Sequence, residues 1–98
     1  MIGKGETQII GRWVLEDDRV VKDNACHRVE NLTANYLKRL GVSERSGGWD
    51  TLFQDPADGR YWERTYLEGD MHGGGPPSLI WLAEQHARIK YPELFGLG

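Results

Sequence analysis

The residues able to do chemistry gather in one stretch near the middle of the chain. Positions 54–72 read Gln-Asp-Pro-Ala-Asp-Gly-Arg-Tyr-Trp-Glu-Arg-Thr-Tyr-Leu-Glu-Gly-Asp-Met-His. A carboxylate such as Glu63, set between Trp62 and Arg64, suits a general base, an acid of raised pKa or a binding anchor. The simpler reading is an ion pair with an arginine across a hairpin. Glu68, Asp70 and His72 are metal-ligand types at close spacing. Structural zinc takes several cysteines or histidines, whereas this chain has one cysteine and three scattered histidines, so no metal or other cofactor is expected. His72-Gly73-Gly74-Gly75 invites comparison with the backbone oxyanion loop of lipases, but that loop works with a G-x-S-x-G nucleophile elbow. No serine here has that context. The glycines read instead as a tight loop that brings backbone close to something else, with Pro76 and Pro77 stiffening its exit. There is no phosphate loop, dinucleotide fingerprint, Cys-x-x-Cys or H-E-x-x-H, and no catalytic residue is assigned.

Recognition is the chemistry that remains. Along a strand, Tyr61, Glu63, Thr65 and Leu67 point one way and Arg60, Trp62, Arg64 and Tyr66 the other. One aromatic face must cover a core. Either the other meets a partner, since tryptophan, tyrosine and arginine dominate protein–protein hot spots, or both faces are core. The candidate partner-binding set is Asp55, Asp58, Arg60, Trp62, Glu63, Tyr66, Glu68, Asp70 and His72. Residues 1–48 carry eight Lys and Arg against seven Asp and Glu; residues 49–98 carry four against eight. Such an acidic half repels nucleic-acid phosphates and attracts basic partners, so no nucleic acid is expected.

The elements that must position these residues follow from pattern. Residues 1–8 look frayed. Ile9–Leu15 is rich in β-formers, Glu16-Asp17-Asp18 breaks it and Arg19-Val20-Val21 resumes, which reads as a short hairpin. Asp23 is a good N-cap for a helix with apolar residues at Ala25, Val29, Leu32, Tyr36 and Leu40. Lys38 and Arg39 would sit in its last turn, and Gly41 would close it. Trp49–Phe53 and Arg60–Leu67 read as strands around a turn with Asp58-Gly59 at its tip. Ser78–Leu82 reads as a last strand, and Ala83–Tyr91 as a short helix stopped by Pro92. The expected fold is α+β: a small, mostly antiparallel sheet packed by one long helix, with a short C-terminal helix.

Ninety-eight residues with a net charge of −3 suit a single domain spanning 1–98. With Cys26 alone no internal disulfide is possible, which favours a reducing compartment. No apolar run resembles a signal peptide or a membrane span, so a cytoplasmic protein without a membrane partner is expected.

Three segments together resemble a known family. Gly48-Trp49-Asp50-Thr51-Leu52-Phe53, Asp55-Pro56-Ala57-Asp58-Gly59-Arg60-Tyr61-Trp62-Glu63 and His72-Gly73-Gly74-Gly75-Pro76-Pro77 look like the immunity protein 27 signature. Gly11-Arg12-Trp13 and the helix led by Asp23 are similar to its N-terminal part. The resemblance runs from about Ile9 to Tyr91, and Trp62 and Glu63 match the family's signature tryptophan and glutamate. The chain departs from it at Tyr66-Leu67-Glu68-Gly69-Asp70, where the family pattern is of a Tyr-Pro-x-Ser-Glu type. The resemblance implies a strand-rich antidote of bacterial polymorphic toxin systems that binds a cognate protein toxin and is not an enzyme. An acidic antidote suits a basic toxin such as a nuclease. The alternative from the residues is a small enzyme, or a small-molecule or peptide binder, using Glu63, His72 and the glycine loop.

Overall fold

The computed structural model describes residues 2–44, 49–67 and 75–96. Strand β1 (Gln8–Ile10) ends at Gly11. There a Cβ would drive into the Pro77 carbonyl oxygen and lie 2.8 Å from Cys26 Sγ. That close approach splits the apolar run Ile9–Leu15 into two strands. The second, β2 (Trp13–Glu16), pairs with β3 (Arg19–Lys22) in a separate two-stranded hairpin. Its turn places Asp17 and Asp18 at φ 52° and 63°, the positive angles of a two-residue turn that follows strand twist.

Helix α1 (Asn24–Asn35) starts where Asp23 accepts a hydrogen bond from the Cys26 amide at 2.8 Å. It stops earlier than its apolar spacing predicts. The amides of Tyr36 and Leu37 both donate to the Leu32 carbonyl, and Lys38–Val42 leaves as strand β4 instead of finishing the helix. Apolar residues at 37 and 40 fit a helical face, but pairing with β5 (Thr51–Gln54) gives this backbone a sheet ladder. Gly41 therefore caps nothing; it lies in the strand, against the Leu94 side chain.

Strands β6 (Tyr61–Thr65) and β7 (Ser78–Leu82) complete a five-stranded sheet of order β1-β7-β6-β5-β4. Every pair in it is antiparallel, so the α+β class is as expected. Both faces are covered. Ile9, Val29, Leu32, Leu37, Phe53, Trp62 and Leu79 form a core under α1. On the other face Leu52, Ala87 and Tyr91 are buried, as helix α2 (Glu84–Lys90) and a 3-10 turn (Pro92–Phe95) pack there.

The N-terminal segment is tied down rather than frayed. Ile2 is buried in the α1-side core. The Arg60 guanidinium donates to the carbonyl oxygens of Gly3, Lys4 and Glu6 at 2.9–3.4 Å. Arg28 holds the Glu6 carboxylate through two nitrogens at 2.7 and 2.8 Å.

Candidate interaction surface

The structure distributes six of the nine candidate residues over three environments. Asp55, Asp58 and Arg60 belong to the turn between β5 and β6. Asp55, 1 % exposed, accepts from the Tyr36 hydroxyl at 2.7 Å and the Ala57 amide at 2.8 Å. Asp58 accepts from the Arg60 amide and Nε, which hold its carboxyl below the usual range. Arg60 in turn clamps the N-terminal segment. These charges are paired within the chain, Asp55 in the interior and Asp58 with Arg60 at the surface, so the turn offers a partner few free groups.

Trp62 and Glu63 sit mid-strand and both are buried. Trp62 is core beneath α1, its ring 5.1 Å from the Arg60 guanidinium carbon. Glu63 Oε2 faces the other layer and accepts from the Tyr91 hydroxyl and from Lys90 Nζ, each at 2.7 Å. Lys90 also reaches Asp50 Oδ2 at 2.7 Å, while Thr65 Oγ1 donates to Asp50 Oδ1. The partner of Glu63 is thus a lysine from α2 rather than an arginine across the hairpin. Burial alone would lower the Lys90 pKa; its hydrogen bonds to Asp50 and Glu63 outweigh that and raise it. Burial, then the bond to Glu63, pushes the Tyr91 hydroxyl up. A carboxylate already held by a cation and a phenol is built to fasten α2 to the sheet. Both aromatic faces of β6 are therefore core.

Tyr66 lies at the opposite end of the sheet from the turn. A five-residue strand separates the two ends by roughly 16 Å. Its ring meets Trp49 edge-on with centroids 5.6 Å apart. Trp49 is 56 % exposed, and Leu67, next to Tyr66 in the chain, is also exposed. Glu68, Asp70 and His72 lie outside the described residues, as does most of the glycine loop. Among the described residues no group of three or more His, Cys, Asp or Glu could hold a metal ion, and no helix is long and apolar enough to cross a membrane.

Sequence reasoning passed over three exposed apolar residues. Trp49 fits the start of a strand and a family segment by sequence, yet it precedes β5 and so escapes the strand's alternation. Leu15 and Val20 face each other in the β2–β3 hairpin and are 76 % and 65 % exposed. Their signal was an apolar pair flanking an Asp-Asp turn in strands of four residues, too short to close a core.

The molecule is thus a sheet held between two layers, with its signature Trp62 and Glu63 facing opposite cores and its spare apolar surface at the sheet end and on a separate hairpin. No curated protein and no solved structure matches the chain. The sequence model of the immunity protein 27 family matches residues 15–83, well over half of the chain. That span runs from the β2–β3 hairpin to the end of β7 and includes both signature residues, so the chain belongs to the immunity protein 27 family.

Proposed function

We propose that this immunity protein neutralises a cognate basic toxin, such as a nuclease, by binding it in the cytoplasm, with the Trp49–Tyr66–Leu67 end of the sheet as a contact surface. The edge-on pair of an exposed Trp49 with a half-buried Tyr66, next to an exposed Leu67, carries this reading. Tryptophan and tyrosine bring large contact area at low entropic cost and are enriched among interface hot spots. Glu68, Asp70 and His72 come within five residues after Leu67 in the chain and stay in the proposed contact set. Asp55, Asp58, Arg60, Trp62 and Glu63 would support it from within by fixing the hairpin. The net charge of −3 favours a basic partner and a salt-sensitive association rate. The chain acts by binding rather than by catalysis.

The test is co-expression and co-purification with the toxin encoded by the adjacent gene, followed by affinity measurement. Trp49→Ala with Tyr66→Ala should weaken binding by about thirtyfold or more, the effect of losing one or more hot spots, and should remove protection from killing. Unchanged affinity in a folded double variant would move the contact surface elsewhere. The absence of any complex would overturn the function.

A further inference from the structure

The β2–β3 hairpin is an excursion between β1 and α1. Its base is closed by the Asp23 amide donating to the Arg12 carbonyl and by the Arg12 amide donating to Asp23 Oδ1. Beyond that base it pairs only with itself, so both outer strand edges lack a strand partner among the described residues. An isolated two-stranded hairpin is marginal in water, and cross-strand apolar pairs help to hold it. That role accounts for Leu15 lying opposite Val20 but not for their exposure. Val14 is exposed as well, and Trp13, Val20, Val21 and Lys22 line a pocket of about 250 Å³.

The tip adds charge. Glu16, Asp17 and Asp18 make no ion pair among the described residues, and Arg19 is the one cation in the turn region. A tip selected for stability alone would carry Asn-Gly or Asp-Gly, because both central residues have positive φ. Two adjacent aspartates hold that conformation against steric cost and mutual repulsion. An apolar surface ending in unpaired carboxylates is complementary to an apolar cleft rimmed by lysine or arginine. The net charge of −3 disfavours a second copy of this chain as the occupant.

Resting on the reading of the chain as a toxin-binding immunity protein, we propose that the β2–β3 hairpin is a second contact arm. It enters a basic cleft of the toxin, with Leu15 and Val20 packed on the cleft's apolar surface and Glu16, Asp17 and Asp18 against its cationic rim. A two-stranded ribbon fits a groove better than a flat face, and its tip charges steer the approach.

The experiment uses the full chain and the catalytically inactivated toxin from the adjacent gene, with binding rates measured at low and high salt. Asp17→Asn with Asp18→Gly installs the preferred turn while removing two charges, so the hairpin is kept. This variant should slow association about tenfold at low salt, with the difference shrinking at high salt, and should not lower Tm. Leu15→Thr with Val20→Thr keeps strand propensity and should weaken affinity about thirtyfold or more, chiefly through faster dissociation. If wild type binds and both variants match it within twofold, the hairpin arm is wrong and the toxin-binding function stands. If wild type forms no complex, the function itself fails and the arm with it. Sedimentation supplies a further overturning result: a wild-type dimer that Leu15→Thr with Val20→Thr makes monomeric would assign the hairpin to self-association.

Discussion

One oxygen of Asp55 takes hydrogen bonds from the Tyr36 hydroxyl and the Ala57 amide, joining the end of α1 to the β5–β6 turn. A carboxylate in a turn ordinarily reads as a solvated charge, and reversing it would be a probe of surface electrostatics. Here Asp55 is inside, and reversing it together with Asp58 would disturb the turn before it reported on any partner. Asp55→Ala leaves two part-buried donors short of their acceptor and should cost about 1–2 kcal/mol. The check is a lower urea midpoint with unchanged slope, and Tyr36→Phe should reproduce only part of the loss. Cys26 teaches the complementary lesson: its thiol is fully buried, donates to the Arg12 carbonyl at 3.3 Å, and burial raises its pKa.

At the scale of elements, each helix is held to the sheet by a different kind of contact. Helix α1 is held by apolar packing through Val29 and Leu32, both buried. Leu32→Ala should cost about 2–5 kcal/mol, as other large-to-small core changes do, measured by denaturant titration. Helix α2 is too short to be stable by itself. Beyond Ala87 and Tyr91 it is fastened by Lys90, which bridges Asp50 before β5 and Glu63 in β6. Lys90→Met removes the bridge between those two carboxylates. The cost should be about 2–3 kcal/mol, below that of a fully buried pair because Lys90 is partly exposed. Hydrogen exchange should show α2 opening before the sheet, a result that equal protection of both would contradict.

For the molecule as a whole, the balance of charge sets an acid limit. The hydrogen bond from Arg28, then that from the Gly3 amide, lowers the Glu6 pKa from its ordinary 4.5 to about 2. The Cys26 amide lowers Asp23, and the Arg60 amide lowers Asp58. A carboxylate depressed in the folded state binds fewer protons there than in the unfolded chain, so stability rises with pH through this window. The Glu6 contribution is fully present above about pH 4.5 and is lost as pH falls toward 2. Denaturant titrations at pH 6 and pH 3 should show that loss, and Glu6→Gln should narrow the difference, Asp23 and Asp58 supplying part of the rest. An unchanged difference in the variant would place the acid sensitivity in other carboxylates.

Local chemistry made much of this legible in sequence. Asp23 announces a helix start because its side chain meets an amide three residues on. Asp58-Gly59 announces a turn, with Gly59 at φ 79°, because that angle suits glycine. Alternation placed Trp62 and Glu63 on opposite faces of one strand. Tertiary structure alone decided what lay over each face, and so chose two cores from the alternatives that alternation left open: a side chain's direction is fixed by its own strand, whereas its burial depends on elements far away in sequence. The same reason governs Lys38–Val42, whose apolar spacing fits a helix and whose backbone bonds go to β5. It also governs Arg60, which ends on the carbonyls of residues more than fifty positions earlier. Contacts of that span leave no periodicity to read, and they separate the charges spent inside the fold from the apolar pairs left outside it.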